Sequence, residues 1–165
     1  MLAIGIRFLC GWSMATHPAD RHQPEWPPHP DRVFMALAAA HFETDREPPE
    51  RSALEWLEAL NPPSIWASDY EPRETVTSFV PVNDTASPIK GSGKTARPLM
   101  VLQSIPLGRD RQPRQFPVAV PHSDCVWLIW NDAADSDEHL ETLSTLCGKV
   151  SYLGRVLGLN VRQMC

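Results

Sequence analysis

The sequence predicts an α+β domain whose strands and helices run in the order β-α-β-β-α-β, with further segments inserted between them. Three observations carry this. An alternating apolar pattern opens the chain. A continuous apolar run, Cys125-Val-Trp-Leu-Ile-Trp130, lies late in it. Each of these two is followed by a segment with a helical apolar stripe.

The elements follow in order. Leu2 to Leu9 reads as a strand, with Leu2, Ile4, Ile6 and Phe8 on one face by the two-residue period. Residues 10 to 30 carry Gly11 and several prolines and read as irregular. A helix is expected from Pro30 or Asp31 to about Phe42, because proline suits the first helical position. Val33, Phe34, Leu37, Ala38 and His41 form its apolar stripe. A shorter helix from Pro49 to Leu60, buried through Leu54, Trp56 and Leu57, ends at Asn61-Pro62-Pro63. Ile65–Ala67 and Thr75–Val80 read as strands around a turn at Glu71-Pro72. Residues 81 to 115 form a long insertion with one short strand near Leu99–Leu102, and Phe116–Val120 reads as a strand.

Cys125–Trp130 has the unbroken apolar character of a buried central strand. The last helix is expected from Ser136 to Leu157, with Leu140, Leu143, Leu146, Cys147, Val150, Leu153 and Leu157 as its stripe and Gly158 as its stop. Leu159–Arg162 then begins a further strand. Without its insertions the order is that of a ferredoxin-like fold, an architecture that many RNA-recognition domains use, with the fourth strand short or missing. A missing strand would have to be supplied from beyond residue 165.

At 165 residues the chain fits one domain, 1–165, with an insertion at about 81–115. Proline is the compositional outlier, at 17 residues, about twice the usual ~5%. Cys10, Cys125, Cys147 and Cys165 form no C-x-x-C pair, so a zinc ribbon is not supported. No secretory signal is visible, and no run approaches the ~18 apolar residues of a membrane span. These features describe a cytoplasmic protein with reduced thiols and no membrane partner.

Charge is unevenly placed. The net charge of −5 argues against non-specific coating of nucleic acid. Yet residues 90 to 114 hold Lys90, Lys94, Arg97, Arg109, Arg111 and Arg114 against Asp110 alone, a net +5 that leaves −10 for the rest. A basic insertion on an acidic body is the pattern of a directed nucleic-acid contact; the plainer reading is a solubilised loop. Within it, Lys90-Gly-Ser-Gly-Lys-Thr95 approaches a phosphate-binding loop, but the position that needs the first glycine is Pro88 and no helix follows.

The six histidines, His17, His22, His29, His41, His122 and His139, match no metal-ligand spacing, so neither a metal nor a cofactor is expected. Metal-free RNA cleavage would need a base and an acid within hydrogen-bond reach of the ribose and the leaving oxygen. Tyr70, Tyr152 or a histidine could serve chemically, but nothing in the sequence brings them together, and surface or packing roles are the reading for each. Trp127 and Trp130 read as core, and Trp26 as a pin holding its loop onto the first helix. Trp12 and Trp66 fit either core or base stacking.

Three blocks carry a resemblance. Glu25-Trp-Pro-Pro-His-Pro-Asp-Arg-Val-Phe-Met-Ala-Leu-Ala-Ala-Ala40 resembles the signature of the fused Cas five–Cas six subunit of type I-G (formerly I-U) CRISPR systems. Thr77-Ser-Phe-Val-Pro-Val-Asn-Asp84 is similar to a second block of that family. Arg111-Gln-Pro-Arg-Gln-Phe-Pro117, with the strand at 125–130, is similar to a third.

The resemblance implies a repeat-associated (RAMP) ferredoxin-like domain in a Cascade-type antiviral complex. There it would grip the 5′ handle of the CRISPR RNA and cap the filament of Cas seven subunits. Its partners would be the crRNA, Cas seven-type backbone subunits, a Cas eight-type large subunit and the Cas six-like half, with target DNA met indirectly. In relatives a thumb folds over the RNA, and the basic insertion occupies the corresponding place. The resemblance thus assigns RNA contact to Lys90, Lys94, Arg97, Arg109, Arg111 and Arg114. It covers the Cas five-like N-terminal half, and RNA-processing activity is expected in the Cas six-like half, so no catalytic residue is expected here. The alternatives are a metal-independent endoribonuclease acting on repeat RNA and a protein-only adaptor.

Overall fold

The computed structural model describes residues 1–81, 111–151, 153 and 158–162. The chain divides into two compact units, Met1–Glu74 with Phe116–Cys165, and Thr75–Gln115.

The first unit is built on a four-stranded sheet. Its strands are β1 (Leu2–Arg7), β2 (Ser64–Trp66), β7 (Cys125–Trp130) and β8 (Gly158–Arg162), in the spatial order β2-β7-β1-β8. Every neighbouring pair is antiparallel. β1 and β7 form the centre, with Ile4 opposite Leu128 and Gly5 opposite Trp127. Two helices, α1 (Pro30–Glu43) and α2 (Pro48–Ala59), link β1 to β2, and α3 (Ser136–Lys149) links β7 to β8. Each link thus joins two strands that have a third strand between them, which is the split βαβ arrangement of the ferredoxin-like fold. The fourth strand is short but present: β8 pairs antiparallel with β1.

Burial follows the alternation. Leu2, Ile4, Ile6, Val126, Leu128 and Trp130 cluster with Val33, Leu37, Ala53, Leu54, Leu57, Leu143 and Leu146 of the three helices. Pro30 opens α1, and the His29 ring accepts from the Asp31 N–H before it. α2 stops at Leu60, whose backbone is extended ahead of Asn61-Pro62.

Two expectations need correction. The last helix ends at Lys149, not Leu157, because Val150 takes an extended backbone (φ −70°, ψ 117°). Gly148 in the final turn and β-branched Val150 are both weak helix formers. Residues 154–157 lie outside the described residues.

The expected turn at Glu71-Pro72 is instead a strand, β3 (Tyr70–Arg73), paired antiparallel with β6 (Val118–Pro121). Pro72 stands opposite Ala119. Both backbone groups of Ala119 are committed to Ser13 on its other side, at 2.8 and 2.9 Å, so the missing proline N–H costs no ladder bond. Trp26 packs against the core cluster that includes Val33 and Leu37 of α1. Its indole N–H donates to the Ser68 carbonyl at 2.9 Å, and its ring packs on Phe8 and Tyr70. Glu25 makes the bond to α1.

In the second unit β4 (Ser78–Pro81) pairs antiparallel with β5 (Arg111–Arg114), with Ser78 opposite Arg114 and Phe79 opposite Pro113. The expected strand at Leu99–Leu102 and the Lys90–Thr95 loop lie outside the described residues.

Candidate nucleic-acid interface

The four-stranded sheet has two unlike faces. One is sealed by the helices. The other carries Ala3, Gly5 and Arg7 from β1, Cys125, Trp127 and Ile129 from β7, and Ser64 and Trp66 from β2, by alternation and register. Trp66 is 57% exposed, and Trp127 and Ile129 are half-buried.

Gly5 shapes this face. A β-carbon there would lie 2.7 Å from Trp127 Cζ3 and 2.9 Å from its Cη2, so the indole lies directly across the β1 backbone. Trp66 stands opposite Trp127 on the edge strand. At the end of the face the Arg7 Nε donates to Asp124 Oδ2 at 2.9 Å. That hydrogen bond, followed by one from the Cys125 thiol, holds the Asp124 carboxyl below its usual range. Arg7 remains 61% exposed at its side chain.

The charge inside the helical layer is closed off. Glu50, 2% exposed, accepts from Lys149 Nζ at 2.6 Å through Oε1 and faces His41 Nδ1 at 2.9 Å through Oε2. This triad ties α1, α2 and α3 together. Burial pushes the Glu50 carboxyl up, but the hydrogen bonds from Lys149 and His41 outweigh it, so the group sits below its ordinary value.

A second pair locks the loop before α1. Glu25 takes both Nε and Nη2 of Arg32, at 3.0 and 2.6 Å, and the His29 N–H at 3.0 Å. Burial raises its pKa, and the Arg32 and His29 bonds lower it further than burial raises it. The buried Cys147 thiol is pushed up to about 12 by desolvation and is inert as a nucleophile.

Of the six basic residues singled out from the sequence, Lys90, Lys94, Arg97 and Arg109 lie outside the described residues. The Arg111 backbone stands opposite Pro81 in the β4–β5 pair. Arg114 is exposed on it and donates through Nη2 to Gln112 Oε1 at 3.0 Å, and Phe79 is 62% exposed on the opposite strand.

The histidines are dispersed. His17, His22, His29 and His122 are exposed, His41 is buried, and His139 stacks at 4.6 Å on Trp56 between α3 and α2. No group of three or more potential metal ligands occurs among the described residues. Nor is any helix among them long and apolar enough to cross a membrane.

Sequence reading missed two features. Glu50 shares the i, i+3, i+4, i+7 spacing of Ala53, Leu54 and Leu57, so its burial had a signal in the apolar stripe itself. Trp127 reads as core from its apolar run, and only pairing with β1 shows that odd positions of β7 face away from the helices.

A family model described as "CRISPR-associated protein, GSU0054 family" matches residues 3–164. No curated protein and no solved structure matches the chain.

Proposed function

The chain belongs to the GSU0054 family of CRISPR-associated proteins, and on that premise we propose that it is a non-catalytic RNA-holding subunit of a Cascade-type surveillance complex. The finer reading is a Cas five-like half of a type I-G Cas five–Cas six subunit. In it, the domain grips the 5′ handle of the crRNA, caps the Cas seven filament, and supports DNA interference beside a Cas eight-type subunit in the cytoplasm. The basic arm neutralises backbone phosphates through Lys90, Lys94, Arg97, Arg109, Arg111 and Arg114.

One observation carries this. The unit Thr75–Gln115 holds six of the chain's 15 Lys and Arg residues but only two of its 20 Asp and Glu residues. Positive charge is therefore concentrated in one structural unit of an acidic protein, as a directed phosphate contact requires. A structural role for His41 is supported by its burial against Glu50.

Salt titration of RNA binding tests the reading. Six phosphate contacts to a single strand give a log–log slope of about −4, and affinity falls roughly 300-fold between 50 and 200 mM salt. Changing Arg109, Arg111 and Arg114 together to Ala should reduce that slope to about −2, with assembly onto protein partners intact. A flat response in the unaltered protein contradicts the proposal, and loss of protein assembly with RNA retention unchanged identifies an adaptor. Metal-independent cleavage of repeat RNA would identify a nuclease.

A further inference from the structure

The basic arm accounts for phosphate contact but not for the exposed tryptophan face of the sheet. Exposing an indole to water is unfavourable, and Trp66, the last residue of the short strand β2, leaves 57% of its surface there. Its register partner Trp127 is held across β1 by the absence of a side chain at Gly5. One exposed indole, Trp66, and one half-buried indole, Trp127, thus stand opposite each other on the sheet. An aromatic on a strand has few torsions left to lose, so little entropy opposes stacking upon it.

The charge of this face agrees. No strand position on it in β1, β2 or β7 is acidic, although Asp and Glu outnumber Lys and Arg by 20 to 15 in the chain. Arg7 stands at one end, one alternate position from Gly5, and its Nε donates to Asp124 while its side chain stays 61% exposed.

We infer that Trp66 and Trp127 form a stacking platform for unpaired bases of a single-stranded RNA, with Arg7 at its end to meet the adjoining phosphate. This rests on the RNA-holding role proposed above and adds a second, base-contacting site to it. The arm supplies contacts that salt weakens. The platform supplies stacking, which tolerates any base because every base has a π face.

The test measures binding of the purified protein to oligouridylate of roughly 12 nucleotides and to an abasic ribose-phosphate strand of the same length. Trp66→Ala should weaken oligouridylate binding about tenfold at fixed salt, leave the salt slope unchanged, and leave abasic binding unchanged. Trp66→Phe should recover most of the loss. Photocrosslinking of unaltered protein to 5-iodouridine RNA should map to Trp66 or Trp127, and it decides the matter alone if Trp66→Ala fails to fold.

Undiminished affinity in Trp66→Ala overturns the platform, as does an equal loss on the abasic strand. So does a crosslink map confined to other residues, or a loss seen only in binding to a protein partner. Failure of the arm looks different: tight oligouridylate binding with a flat salt slope would remove the arm and keep the platform.

Discussion

The two faces of the four-stranded sheet are made from the same strands and do opposite work. Along β1, Leu2, Ile4 and Ile6 go into the helix-packed core, while Ala3, Gly5 and Arg7 lie on the other face, where Arg7 is exposed and Ala3 and Gly5 are buried beneath their neighbours. Along β7, Val126, Leu128 and Trp130 are buried, and Cys125, Trp127 and Ile129 are half-buried. The sealed face stabilises the fold by removing apolar surface from water. The open face contributes less to stability and keeps its aromatic surface available. The lesson is that a strand's two-residue period can divide stability from recognition within a few residues of sequence.

Substitutions that act on one face only sharpen this division. The largest effect on stability is expected from Leu128→Ala, which empties a site 1% exposed and should cost about 4 kcal/mol in urea unfolding. RNA affinity of the folded fraction should not change. Glu50→Gln comes next, at about 2 kcal/mol, because it removes the buried carboxylate that accepts from Lys149 and faces His41.

The same carboxylate sets a pH dependence. Its folded pKa lies below the ordinary 4.5, so its stabilisation is complete above that value and is lost as pH falls through the folded pKa. Glu25 acts in the same window and with the same sign. Thermal melts should therefore be level from pH 6 to 8 and decline below about pH 4.5, and the decline should be shallower in Glu50→Gln.

Gly5→Ala should cost about 1–2 kcal/mol, because Trp127 must leave its seat across β1. It crosses the division deliberately, and RNA affinity should fall with it. The smallest stability effect belongs to Trp66→Ala, about 1 kcal/mol for the lost cross-strand pair with Trp127, paired with the tenfold loss of oligouridylate binding. A loss of several kcal/mol in Trp66→Ala, measured by the same urea unfolding, would break the division.

Much of the first unit was legible in the sequence. β1, α1, α2 and β7 follow from period and punctuation: alternation over Leu2–Ile6, Pro30 at a helix start, Asn61-Pro62-Pro63 after a helix end, and an unbroken apolar run at 125–130. β3 was not legible, because Pro72 reads locally as a strand breaker. Only pairing with Ala119, whose backbone groups already belong to Ser13, makes that proline harmless. The end of α3 was extended by an apolar stripe that continues past it, since Val150 and Leu153 still pack on the core after the helix has stopped.

The candidate site divides in the same way. The positive charge of the arm is a property of composition and shows in the sequence directly. The tryptophan face depends on strand register, a non-local fact, and on a glycine whose meaning appears only when Trp127 is seen above it.

The most direct test of the central claim is oxidative footprinting of the purified protein with and without guide RNA, read at single side chains by mass spectrometry. Trp66 should be oxidised readily in the free protein and strongly protected by RNA. Met35 on α1, 63% exposed, should be oxidised equally in both. Equal oxidation of Trp66 in the presence and absence of bound RNA would contradict the account.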